Sequence, residues 1–245
     1  MRVALKTPGS RVGYKGGMEI RKTSGGSAVL TRRGFLGALA ALGAGGLLAG
    51  CGGGGGSPSP PNSQVLPDLG RFAPNYAGDV TRNRWPVLPV RVYFTNDIVL
   101  TPPGGAATRV NDLIRAAFDR WPAATGGVIG YVLTDDPAQA NISVTTTTIP
   151  DPSGLSETGS TSVTAGGGIL TAATVQVYVW PDITVLELTQ GLPATAAHEF
   201  GHALGIEGHS PDPSDLMYVS HDPNADVPLS LRDVNTIKTL YSPLF

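Results

Sequence analysis

The segment His198-Glu199-Phe200-Gly201-His202 restricts the fold more than any other part of the chain. On a helix two imidazoles four residues apart share a face and stand one turn, about 5.4 Å, apart. At that separation two ring nitrogens can share one zinc ion at about 2.0–2.1 Å, with Glu199 flanking the open coordination position. Pro193 suits the first turn of such a helix. Gly205 suits its end, because glycine takes the left-handed conformation there without steric cost. A helix over about residues 193–204 is therefore predicted, followed by a return that can bring His209 within reach as a third ligand.

Around that helix the hydrophobic pattern changes period several times. Val90, Val92 and Phe94 alternate with Arg91, Tyr93 and Thr95 as in a strand. Val110, Leu113, Ile114, Ala117, Phe118 and Trp121 form one stripe of an amphipathic helix, predicted to end at Pro122. Residues 128–133, 142–147 and 173–180 read as strands, and the Ser/Thr/Gly-rich residues 150–168 read as a loop. Ser230 and Asp233 form a capping-box pattern that opens a last helix. The order is that of one α+β domain over residues 85–245.

The preceding residues have a different composition. Residues 1–65 hold eight Lys/Arg against one Glu, which leaves nine Lys/Arg against 18 Asp/Glu for the remainder of the chain. An acidic body is a poor partner for nucleic acid, whose phosphates need clustered Lys/Arg. Arg32-Arg33 is followed by an uncharged apolar run over residues 35–49, too short to span a bilayer as a helix and the right size for a signal peptide. With Phe35-Leu36 the arginine pair resembles a twin-arginine export address, although an ordinary basic n-region gives the same charges. Thirty residues are long for such an n-region, so Met18 is an alternative start. Leu48-Ala49-Gly50-Cys51 closes the run and resembles a lipobox, in which the cysteine sulfur takes a lipid. Five glycines and then Ser57-Pro58-Ser59-Pro60-Pro61 form a tether. The expected organisation is a signal peptide over 1–50, a lipidated Cys51 with its tether and N-terminal segment over 51–84, and the domain over 85–245. The protein is expected in the cell envelope as a monomer, bound to a membrane only through the lipid. Cys51 is the only cysteine, so no disulfide forms within the chain.

His198-Glu199-Phe200-Gly201-His202-Ala203-Leu204-Gly205, then His209-Ser210, then Met217-Tyr218 resemble the metzincin metallopeptidases, and within them the matrixin-like group. The resemblance covers roughly residues 85–245. It implies a zincin-like domain with a twisted mixed sheet, an active-site helix, a Met-turn and a C-terminal helix. It also implies one catalytic zinc held by His198, His202 and His209, Glu199 as general base, Met217 packed beneath the metal, and a polypeptide substrate. That substrate would lie along a sheet edge, expected at the strand ending near Trp180, with residues 218–222 lining a specificity pocket. One departure stands out: Ile206, Glu207 and Gly208 separate Gly205 from His209, where the family has two residues. Gly208 thus falls at the usual ligand position. A one-residue bulge would restore His209, and Glu207 is the alternative ligand.

His221 reads as a solvated loop residue rather than a ligand. Residues 150–168 contain no histidine for the second zinc that vertebrate matrixins carry there, and the cysteine switch of that family has no cysteine to use. Asp135, Asp136 or Asp151 with backbone carbonyls offer calcium ligands, without a contiguous calcium-loop pattern. The alternative to an enzyme is a zinc-containing binding or adhesion module on the same fold, though a purely structural site has no use for Glu199.

Overall fold

The computed structural model describes residues 70–150 and 157–245, together with the dipeptides Arg21–Lys22 (β1) and Ala28–Val29 (β2). Cys51, the apolar run and the tether lie outside the described residues. The chain then forms α1 (Ala77–Val80), β3 (Val90–Phe94), β4 (Val99–Leu100), β5 (Thr108–Arg109), α2 (Val110–Phe118) and α3 (Arg120–Ala124). It continues through β6 (Tyr131–Leu133), β7 (Ile142–Thr148), β8 (Gly159–Gly166) and β9 (Ile169–Val179). A π-helical turn, Glu187–Gly191, leads directly into α4 (Leu192–Ala203), and α5 (Leu231–Leu240) closes the fold.

One mixed sheet has the order β1-β2-β8-β9-β7-β3-β6, with β4 and β5 forming a separate pair. β6, β3, β7 and β9 run parallel, and β8 runs antiparallel to β9. Val175, Val177 and Val179 of β9 are fully buried, as the period-two pattern requires of a strand face against a helix layer. Phe118 of α2 stacks on Phe200 of α4 with ring centroids 4.0 Å apart, and Tyr131 meets Phe200 edge-on at 5.5 Å. Trp121 donates its indole N–H to the Ala197 carbonyl at 2.9 Å. Phe200 thus anchors α4 in the core on the side away from its histidines.

Two expectations are corrected. The helix stripe does not stop at Pro122: it breaks at Asp119 and resumes as α3, where Pro122 sits in the first turn and its missing N–H is not needed. Residues 159–166 are a strand rather than loop. β8 contains one large apolar residue, Val163, and owes its form to eight residues paired with β9. The turn between them is Gly167-Gly168, with φ of 59° and 84°, the double positive φ that favours a two-residue hairpin. β9 is consequently interior, which corrects the edge expected at the strand near Trp180: β8 covers β9, and Ala28 of β2 pairs opposite Val163 on the far side of β8.

An arm over residues 70–84 joins the core through Tyr76, Ala77 and Val80. Its residue Thr81 bridges to Ile206, just beyond α4, and the following Trp85 donates its indole N–H to the Ala203 carbonyl at 2.8 Å. The arm therefore meets the end of α4 directly.

Candidate metal centre

α4 presents His198 and His202 with their Nε2 atoms 3.1 Å apart. Nδ1 of His198 donates to the Leu216 carbonyl at 2.7 Å, and Nδ1 of His202 donates to the Ile206 carbonyl at 2.5 Å. A carbonyl only accepts, so each ring keeps its proton on Nδ1 and turns a lone pair inward on Nε2. Two lone pairs facing each other at 3.1 Å repel unless a cation lies between them. A tetrahedral zinc with bonds of about 2.0–2.1 Å holds its nitrogens about 3.3 Å apart, so the pair fits that ion. Protonating the rings is no substitute: burial, then the neighbouring His202, hold His198 well below its ordinary value, and burial lowers His202 as well.

His209 completes the cluster. One ligand atom from each of His198, His202 and His209 lies within 4.8 Å of the others. The route to it explains the extra residue. Gly205 ends the helix at φ 114°, and Ile206 then bridges to Thr81. The Glu207 N–H donates to the Val80 carbonyl at 2.6 Å, and the Asn83 amide holds the Glu207 carboxylate. The inserted residue is absorbed by pairing with the arm, and the His209 ring arrives 5.2 Å from His198 and 5.0 Å from His202, centroid to centroid. Glu207, the alternative ligand, is directed to Asn83 and is not one of the three clustered residues.

Glu199 is 7% exposed. Burial pushes its carboxyl up to about 7, a hydrogen bond from Thr161 acts in the opposite direction, and the charge of Glu157 adds to the rise. In the zinc-free protein these shifts give a stability profile with a defined sign. Below pH 6.5 the unfolded chain takes up protons on His198 and His202 that the folded chain resists, which destabilises the fold. Glu199 works the other way, because between 4.5 and about 7 the folded chain holds a proton that the unfolded chain has lost. Around neutrality the effects offset, whereas below 6.5 two imidazoles outweigh one carboxyl. Thermal unfolding of chelated protein should give a nearly flat midpoint near neutrality and a falling one below pH 6.5; a midpoint that rises on acidification contradicts these environments.

Met217 is fully buried beneath the helix. A Cβ at Gly201 would lie 2.5 Å from the Met217 sulfur and 2.7 Å from Trp121, so only glycine lets α4 rest on that methionine. The first turn of α5 holds the loop that carries Met217. Asp233, fully buried, accepts N–H groups from Leu216 at 2.8 Å, Met217 at 3.3 Å and Ser230 at 2.9 Å, along with the Tyr76 hydroxyl. Arg232 pairs with the buried Asp215 at 3.0 Å, and Ser210 donates to the same carboxylate. The sequence pattern gave Asp233 only its capping role; its reach to the Met217 loop depends on tertiary packing.

His221 is a partly exposed loop residue. Its Nε2 donates at 3.0 Å to the Leu216 carbonyl, the same oxygen that orients His198, and it is not one of the clustered histidines. Asp136 accepts from the Ala138 N–H and the Gln139 amide, each at 2.9 Å, while Asp151 lies outside the described residues. Among the described residues the three histidines form the one group of three or more metal-capable side chains. No described helix is long and apolar enough to cross a membrane.

Comparison with known proteins agrees with this geometry. The family described as "Matrixin" matches residues 93–242. Interstitial collagenase of Bos taurus is 50% identical over 48 residues, 20% of this chain and 10% of the collagenase. Matrix metalloproteinase-27 of Homo sapiens is 54% identical over 52 residues, again 20% of this chain and 10% of the relative. The similarity to these curated relatives thus spans about a tenth of their length.

Proposed function

The chain belongs to the matrixin family of zinc metallopeptidases, and from that membership we propose that it is an endopeptidase which hydrolyses internal peptide bonds at the His198–Glu199–His202–His209 site. The observation that carries this reading is the inward pair of Nε2 lone pairs 3.1 Å apart beside a buried carboxyl. His198, His202 and His209 are the zinc ligands. A zinc ion bound there supplies a Lewis acid that polarises a carbonyl and brings the pKa of its water towards about 7. Glu199 takes the proton of the attacking water and gives it to the amide nitrogen as the C–N bond breaks. Met217 forms the floor of the site and fixes the helix over it.

The substrate is an extended polypeptide that adds to the outer edge of β8. In the full chain Ala28 of β2 pairs with Val163 on that side of β8, so a substrate strand takes the place that β2 leaves when residues 1–50 are removed on export. A shallow recess beside the first turns of α4 is bounded by Thr158, Tyr178, Leu192, Thr195 and Pro223. Mass spectrometry of products from a peptide library tests the proposal: new termini inside the peptides support it, and removal of terminal residues alone, or no cleavage, contradicts it.

The working site is held at a membrane surface as a monomer, with Cys51 lipidated after export and residues 52–61 as the leash. Position supports this reading, since Cys51 directly follows the apolar run. Cys51→Ala should move the protein from the membrane to the soluble fraction. Unchanged fractionation contradicts the anchor.

A further inference from the structure

Glu199 has three rotatable side-chain bonds, and a general base must present its carboxyl in one direction. Two residues of β8 constrain it. The Thr161 hydroxyl lies 2.7 Å from Glu199 Oε2 and 2.9 Å from the Glu199 carbonyl oxygen. Two residues away on the same strand face, a Cβ at Gly159 would stand 2.8 Å from Glu199 Cγ, 3.1 Å from its Oε1 and 2.8 Å from Thr195 Cγ2. One position supplies a polar contact and the other supplies space. Both are fixed in place by pairing with β9, Thr161 opposite Val175 and Gly159 opposite Val177.

We propose that Thr161 is a positioning residue for Glu199, its hydroxyl holding the carboxyl in the orientation the proposed hydrolysis needs. The proposal rests on the peptidase reading and adds a residue to it. The hydroxyl can serve either form of the carboxyl. It donates to Oε2 when the carboxyl is ionised and also when the water's proton sits on Oε1, because the unprotonated oxygen of a carboxylic acid still accepts. Glu199 therefore keeps its orientation after taking the water's proton and before passing it on. Because β8 is also the strand on which an extended substrate adds, the element that receives the peptide is the one that aims the base.

The test compares wild type, Thr161→Val, Thr161→Ser and Gly159→Ala as zinc-loaded full chains cleaving one peptide. Valine is nearly isosteric and suits a strand, so the fold is retained while the hydroxyl is lost. Thr161→Val should lower kcat about 10- to 100-fold, the scale of one hydrogen bond to a charged group, with KM and zinc content unchanged. Thr161→Ser should recover most of that loss, and Gly159→Ala should lower kcat by displacing the carboxyl from the other side. The proposal is overturned if Thr161→Val keeps its kcat, if Thr161→Ser is as slow as Thr161→Val, or if KM alone rises. A zinc-loaded wild type that cleaves nothing overturns the peptidase reading together with the proposal. An active wild type beside an equally active Thr161→Val overturns the proposal alone.

Discussion

Glu199→Gln should lower peptide cleavage by about 10²–10⁴-fold, the contribution of a positioned general base, and leave zinc binding intact. Glutamine preserves the length and shape of the side chain but cannot take the proton of water. It also removes a buried ionisable group whose carboxyl is pushed up to about 7, so the fold should not suffer from the exchange. Glu199 is not among the three clustered histidines, which is why metal content should hold. The variant therefore separates a peptidase from a zinc-bearing binding module: a module keeps its function, whereas a peptidase loses turnover and keeps its metal. Steady-state cleavage together with metal analysis of the same samples decides the matter. Full activity in Glu199→Gln would remove the carboxyl from the proposed mechanism.

His209→Ala should lose both zinc and activity. Outer partners of metal ligands typically contribute about 10- to 100-fold to affinity, so removal of a ligand itself should cost more than about 100-fold. Glu207→Ala should leave zinc affinity within a few-fold of wild type, because the Glu207 carboxylate is held by Asn83. Competition with a chromophoric chelator measures both. If Glu207→Ala releases the metal and His209→Ala keeps it, the ligand assignment is reversed and the path from Gly205 to His209 is wrong.

The histidine-bearing helix was legible because its signals are local. Pro193 near its start, Gly205 at its end and the spacing of His198 and His202 all act within one turn or two, and α4 spans Leu192–Ala203. The Ser230–Asp233 capping box was readable for the same reason. β8 was not. Its glycines and serines dilute the strand preference of Thr161, Val163 and Thr164, and its form comes from pairing with β9. The Gly167-Gly168 turn was the one local clue. Once β8 is a strand, Thr161 and Gly159 fall against Glu199, a relation between residues about 40 apart that no periodicity announces. The same holds for the arm. Asn83 and Val80 explain how an extra residue before His209 is tolerated, yet they lie more than 120 residues upstream of Glu207. The hydrogen bond from His221 to Leu216 was not readable either, because it depends on how that loop folds over α4.

The central claim is that these three imidazoles hold one zinc and that peptide cleavage depends on it. Titrating zinc into chelated full-length protein while recording the cleavage rate of a single peptide tests it most directly. The rate should rise in proportion to zinc and stop rising at one equivalent per chain. A rate that ignores zinc, or a chain that binds one equivalent and cleaves nothing, would contradict the account.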